Sequence, residues 1–388
     1  MTKTNRTPAG GGGRDWSAYN KAQTTEKICF LQILQALCRE VEEPKRIAGR
    51  KPVLLRDVIF CLVFKVYSTF SARRFQADLK EAQTKGLVET VLSATSISEY
   101  MRCASLYSLL QQLLIKSSLP LSEEETVFAA DSTGFGIPRR RVWFNKYTNR
   151  RMKRRDYMKL HVMVGTKTNI ITYAEASEGS ASDMTYLKRL VEGTARYFEI
   201  AEVSADAGYL SGENMYAVLM KGGIPYFAFK KNCALDANYK STLWKDLLYL
   251  CKTRHPLFTE HYFRRNNVEA TFQALKARFG GRLRSKSQAG QFNEVLAKAL
   301  CHNICMLIRA MYASGIDPLA WVGKVPKTMP QGVTMVEAMS HRKEDLLAIR
   351  EAAGEREMPS QLERPKLSQK AKARKGVSHL INQVLLFD

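Results

Sequence analysis

Near residue 120 the hydrophobic period of this chain changes from helical to strand-like, and with it the kind of core that can form. From about 26 to 118 the apolar residues recur at helical spacing, in "EKICFLQILQALCREV", "LLRDVIFCLVFKVYSTF" and "SARRFQADLKEAQTKG", the last ending at a glycine suited to a helix C-terminus. "SISEYMRCASLYSLLQQLLIKS" reads as one further helix, opened by Ser96 and Glu99 at capping-box spacing. "LPLSEEE" at 119–125 then breaks the pattern. Beyond it come strand candidates: "TVFAADSTGF", "RRVWFNKY", and "KLHVMVGTKTNIITYAEASEG" as a hairpin-like pair around "TKTN". A helix ("ASDMTYLKRLVEGTARYF"), a strand ("IAEVSADAGYL"), a helix capped by Ser211, a strand ("IPYFAFKKN") and an irregular stretch to about 260 follow. Two helices complete the pattern, the second, "FNEVLAKALCHNICMLIRAMYA", mostly buried.

This alternation predicts an α/β domain, with a central mixed sheet flanked by helices. The division expected is a flexible leader at 1–25, an all-α domain at 26–120, an α/β domain at 121–312 with a short insertion at about 233–260, and a polar, basic helical tail at 313–388. The N-terminal helices are expected either to bind DNA or to support the core.

Sixty Lys and Arg against 37 acids give a net charge of +23, more than a fold requires, and point to a polyanionic partner, nucleic acid before membrane surface. Residues 139–159, "RRRVWFNKYTNRRMKRRDYMK", concentrate this charge and interleave Trp143, Phe144, Tyr147 and Tyr157. Arg139, Arg140, Arg141, Arg150, Arg151, Lys153, Arg154 and Arg155 therefore read as a groove for a DNA backbone. The N-terminus lacks the apolar region of a secretory signal, and the run "VIFCLVFKVY" is too short to span a bilayer, so no membrane is expected. The 8 cysteines are scattered without a Cys-x-x-Cys pair, which suits a reducing, cytoplasmic compartment with access to a bacterial nucleoid. Cys301, His302 and Cys305 lie in an apolar stretch and read as core, not as a zinc site.

Two aspartates, Asp131 and Asp206, close strands, at the edge where open α/β sheets bind ligands. In "HYFRRNNVEATFQALKARF", Tyr262, Arg265, Glu269 and Lys276 share one stripe of a continuous helix, and Val268, Phe272, Leu275 and Phe279 form its docking face. Glu269 thus stands among groups that grip phosphate, and the alternative is a plain Arg265–Glu269 surface pair. Three carboxylates from two strands and a helix suit two hard divalent cations, Mg²⁺ or Mn²⁺. Asp183 reads as a helix N-cap or an accessory carboxylate, His161 as a packed histidine or one that orients a phosphate or a metal-bound water, and Trp244 as a packing residue or a stacking platform for an unpaired base.

These motifs resemble the DDE transposases of bacterial insertion sequences. The set Tyr262, Arg265, Glu269 and Lys276 matches the Y-x2-R-x3-E-x6-K signature of one branch, while "ADSTGF", "ADAGYL" and "KLHV" resemble the family's motifs around the first two acids. The resemblance covers about 125–310 and implies an RNase H-like core. It implies that Asp131, Asp206 and Glu269 are catalytic metal ligands and that Tyr262, Arg265 and Lys276 contact DNA phosphates. Water would cut double-stranded DNA at terminal inverted repeats, and the freed 3′-hydroxyl would attack target DNA within a homodimeric synaptic complex. A host nuclease of RNase H type, or a transposase-derived DNA-binding protein without chemistry, are the alternatives.

Overall fold

The structure is a computed structural model, and the chain divides into two compact units, Met1–Arg342 and Lys343–Asp388. The structure describes residues 15–43, 53–138, 157–230, 233 and 242–321, all in the first unit. The basic cluster Arg139, Arg140, Arg141, Arg150, Arg151, Lys153, Arg154 and Arg155, the expected strand around 140–147 and the tail beyond 321 lie outside the described residues.

The sheet is mixed and five-stranded. Its members are β1 (Val127–Gly136), β2 (Tyr157–Gly165), β3 (Ile171–Glu178), β4 (Glu202–Ala205) and β5 (Ile224–Phe227), in the order β3-β2-β1-β4-β5. β1 pairs antiparallel with β2, and β2 with β3, while β4 and β5 join in parallel. The expected β2–β3 hairpin forms, and its turn places Asn169 at φ 60°, a left-handed conformation that Asn tolerates better than most residues. Helices cover both faces. Against one lie α7 (Leu187–Ala195) and then α8 (Gly212–Leu219), which Ser211 caps by accepting the Asn214 N–H at 3.1 Å. Gly193 permits the close approach of α7, since a Cβ there would stand 2.2 Å from the Tyr173 ring.

The N-terminal helices are α1 (Trp16–Thr24), α2 (Glu26–Arg39), α3 (Leu55–Ser68), α4 (Gln76–Thr84), α5 (Ala94–Tyr100) and α6 (Leu106–Ser118). α5 and α6 replace the single helix expected at 96–117. Ser93, not Ser96, is the N-cap, accepting the Ser96 N–H at 3.0 Å. The chain breaks after Tyr100 because buried Asn293 donates to the carbonyls of Met101 (2.9 Å) and Cys103 (2.8 Å), taking up acceptors that helix would otherwise engage. α6 covers the sheet edge. Tyr107 Oη accepts the Ala176 N–H and Gln111 Nε2 donates to the Ala174 carbonyl, both at 2.9 Å, so side chains satisfy backbone groups that an edge strand would leave open.

The helix at the centre is α12 (Gln288–Ser314), with Val295 to Ile308 buried throughout. Among the described residues it alone is long and apolar enough to cross a bilayer, and 78% of its most apolar window is buried inside the protein. α1, α2, α3 and α6 pack on it, as do β2 and β3. Cys301 and Cys305 are core residues, as expected: burial raises both thiols, Cys305 to about 12.

His302 is fully buried and donates through Nε2 to the Asn169 carbonyl (2.9 Å), and burial lowers its pKa to about 4. The folded state therefore holds this ring neutral while the unfolded state charges it near pH 6.5. The stability that His302 withholds from the charged form is present above pH 6.5 and is lost as pH falls from 6.5 toward 4, at about 1.4 kcal/mol per unit. Urea melts at pH 7 and pH 5 should show His302→Gln losing about 2 kcal/mol less than wild type on acidification. Equal losses would place the titration elsewhere.

Of the stretch to 260, expected to be irregular, the described residues from 242 on are mostly helical: α9 (Thr242–Lys252) and α10 (Pro256–Phe263). Pro256 opens α10 at its first turn, where its missing N–H costs nothing. Leu247, Leu248 and Leu250 are buried, and Trp244 stands edge-on to Phe229 with centroids 5.3 Å apart, the packing role.

Candidate active site

The register of β1 and β4 sets the first two carboxylates side by side. Their parallel pairing ends at Ala130↔Ala205, and the next residues are Asp131 and Asp206. β4 stops there, as expected, and a 3₁₀ turn, Ala207–Tyr209, begins. β1 does not stop at Asp131: paired with β2, it runs on to Gly136, so Asp131 sits mid-strand at the point where β4 leaves it. Each carboxylate is steadied locally, Asp131 Oδ1 by the Ser132 N–H (2.7 Å) and Asp206 Oδ1 by the Ala207 N–H (2.6 Å).

The third acid arrives on α11 (Asn266–Phe279), whose buried Val268, Phe272, Leu275 and Phe279 form the docking face expected for them. The expected continuous stripe is broken. Tyr262 belongs to α10, and Arg264 and Arg265 join α10 to α11 through i→i+3 bonds, Arg264 N–H to His261 and Arg265 N–H to Tyr262. A second fastening holds α10 to the sheet: Glu202 of β4 accepts from Arg264 (2.9 Å) and contacts His261 Nδ1 (2.8 Å).

Arg265 still gathers the site. Its NH1 lies 2.9 Å from Glu269 Oε1 and 3.8 Å from Asp131 Oδ2, and its Nε lies 3.5 Å from the Tyr262 hydroxyl. Burial pushes Asp131 up to about 6. The Ser132 N–H and Arg265 hold it down, while the Asp206 and Glu269 carboxylates push it further up. The three acids therefore share one electrostatic field, with a guanidinium between the first and third. Among the described residues no three acidic, imidazole or thiol groups are drawn together closely enough to hold a metal ion.

The signature residues divide by exposure. Glu269 is half-exposed, so its pairing with Arg265 adds only about 0.3 kcal/mol to the helix. Tyr262 is buried against Phe258, and its role here is to brace Arg265 rather than to present a ring to solvent. Lys276 lies with its ammonium 5.6 Å from the centre of the Phe135 ring, and burial lowers its pKa.

The opposite face of β1 carries a network the sequence did not reveal. Ser132 pairs with His161 across the strands, and Gly134 with Lys159, so Lys159 and His161 point away from Asp131. Asp183 accepts from Ser132 Oγ (2.9 Å) and Lys159 Nζ (3.0 Å) and lies 3.5 Å from His161 Nδ1. It ties β1 to β2 instead of capping a helix. His161 is wholly buried, stacked on Tyr186 at 3.9 Å and bonded to Ser177 Oγ at 2.7 Å, and burial lowers its pKa to about 4. That settles on the packed alternative, behind the carboxylates. Buried Asn214 donates to the Met184 (2.9 Å) and Tyr209 (2.8 Å) carbonyls, joining this network to the turn after Asp206. The alternation in "KLHV" was the available signal, since a charged and an imidazole side chain two apart must share a face.

Residues 122–304 match the family model described as the transposase DDE domain. No curated protein and no solved structure matches the chain.

Proposed function

We propose that the protein, whose residues 122–304 match the family model described as the transposase DDE domain, cuts phosphodiester bonds at the ends of a mobile DNA element and joins the freed 3′-hydroxyls to target DNA. The observation that carries this reading is the shared field of Asp131, Asp206 and Glu269, built on the β1–β4 register. The strand order and orientation support an RNase H-like core.

The donor chemistry fits a divalent metal. Three carboxylates, one of them largely desolvated and crowded by the other two, form an all-oxygen set suited to Mg²⁺ or Mn²⁺, and Arg265 supplies positive charge at that place here. Asp131, Asp206 and Glu269 would hold the ions, two in number by the family resemblance. Bound there, they would neutralise the scissile phosphate and favour the deprotonated form of an attacking oxygen. The chain's own residues do the rest. Arg265, braced by Tyr262, offers its fork to a phosphate oxygen, and Lys276 adds a point charge further along α11. The Ser132 and Ala207 N–H groups fix Asp131 and Asp206 by one oxygen each. The basic cluster at 139–155 would grip double-stranded DNA, and two copies would pair the element's ends at the nucleoid.

Strand transfer tests this reading. A duplex from the gene's native flank, pre-cut to expose a 3′-hydroxyl, should become covalently joined to a supercoiled plasmid in Mg²⁺ or Mn²⁺, and a 3′-deoxy end should abolish joining. Nicking without joining would instead make the protein a nuclease.

A further inference from the structure

After α11 the chain turns back along β1. The Gly136 N–H donates to the Gly281 carbonyl (3.0 Å) and the Leu283 N–H to the Gly136 carbonyl (2.8 Å), so residues 281–283 pair in parallel alongside the far end of the Asp131 strand. Just beyond, Arg284 and Lys286 form one wall of an open cleft of about 690 Å³, with Lys65 of α3, Ser98 of α5 and Ser71 and Arg102 from the turns after those helices on the other.

Four cations thus face one space. The cleft's carboxylate, Glu294, is engaged within the protein: it accepts the N–H groups of Arg284 (2.9 Å) and Ser285 (2.8 Å) and lies 3.8 Å from Lys298. Among the described residues, none of the four cations is within ion-pair distance of a carboxylate. Both walls are fastened by buried polar side chains of α12. Asn293 holds the Met101 and Cys103 carbonyls, Gln291 the Ser285 carbonyl (3.1 Å), and Glu294 the backbone of 284–285. Arg284 is itself tied to the Phe70 carbonyl at 2.6 Å. Like charges gathered without an ion-paired carboxylate among the described residues repel, so this arrangement favours an anion. Several separated cations with hydroxyls between them suit a chain of phosphates better than one ion.

The strand sets the distance. From Asp131 to Gly136, where residues 281–283 pair with it, β1 advances about 17 Å, at about 3.4 Å per residue, on the order of half a B-DNA turn.

We propose that the cleft bounded by Lys65, Arg102, Arg284 and Lys286 binds the sugar–phosphate backbone of the duplex whose scissile bond lies at Asp131. This rests on the transposase reading and adds a sequence-independent contact shared between the N-terminal helices and the segment after α11.

The test is fluorescence anisotropy of the full chain, in EDTA to prevent cleavage, on a native-flank duplex and an unrelated duplex over a range of salt. The variant is Arg102→Ser with Lys286→Ser, both exposed side chains. The control is Lys188→Ser on α7 with Arg196→Ser just after it, across the sheet. The cleft variant should lower affinity for both duplexes by about 10- to 100-fold and reduce the salt slope by about 0.9 per lost contact, while the control stays near wild type. Arg102→Lys with Lys286→Arg should restore binding, and each single variant should show about half the change in slope. A cleft variant with wild-type affinity and slope overturns the proposal and leaves the transposase reading standing. Loss on the native-flank duplex alone overturns it in favour of base reading. Absence of salt-dependent binding by the wild-type chain overturns both.

Discussion

Glu269→Gln should retain the fold and the DNA affinity of the wild-type chain and lose about 100-fold or more in metal-dependent cleavage. The amide keeps the shape of the side chain and removes its charge. Folding should hardly change, because α11 is docked by Val268, Phe272, Leu275 and Phe279, and the lost pair with Arg265 is half-exposed and worth about 0.3 kcal/mol. Affinity should hold, because the substitution frees Arg265 and removes a charge that repels phosphate. Cleavage should collapse, because altering groups that only support metal ligands already costs about 10- to 100-fold, and Glu269 is proposed as a ligand itself. Cleavage at wild-type rate with intact folding would remove Glu269 from the site and return it to the surface pair it makes with Arg265.

The largest effect on stability is expected away from the carboxylates. Asn303→Ala should destabilise the chain by about 3–5 kcal/mol in urea unfolding at neutral pH. Asn303 is completely buried in α12, where its Oδ1 accepts the Ile171 N–H (2.9 Å) and its Nδ2 donates to the Ile171 carbonyl (2.7 Å) and to Ser117 Oγ (3.0 Å). One side chain thus completes the edge strand β3 and bonds it to α6. Truncation leaves the Ile171 N–H and C=O buried without partners, at about 1–3 kcal/mol each, and opens a small cavity. A loss under about 1 kcal/mol would mean that the edge of β3 is satisfied in another way.

Asn303 also shows where sequence reading reached its limit. The long apolar helix, the β2–β3 hairpin, the strand ending before Asp206 and the docking face of α11 were legible, because each depends on a local period or on residues adjacent in the chain. The polar residues of α12 were not. Gln291, Asn293, Glu294, Lys298 and Asn303 look like interruptions of an apolar pattern, yet each is buried. What justifies them are backbone groups outside the helix, in the 280–285 segment for Gln291, Glu294 and Lys298 and far away in sequence for Asn293 and Asn303, and no spacing rule reports those. The break between α5 and α6 has the same origin, since Asn293 decides it from outside the segment.

The carboxylates divide along the same line. That Asp131 and Asp206 belong together could be suspected from two similar motifs, but their adjacency follows from the β1–β4 register. The stripe from Tyr262 to Lys276 assumed one helix, and the turn at Arg264–Arg265 moved Tyr262 into the interior. Glu202, which fastens Arg264 and His261, stands outside any motif and only the fold brings it to α10.

The most direct test is to map, to the nucleotide, the breaks that the full chain makes in a plasmid carrying this gene with its native flanks, with Mg²⁺ or Mn²⁺ supplied. Paired breaks at the two flank boundaries, absent in Asp131→Asn and without added metal, are the predicted result. Breaks scattered along the plasmid, or boundary breaks that persist in Asp131→Asn, would contradict the assignment of this site.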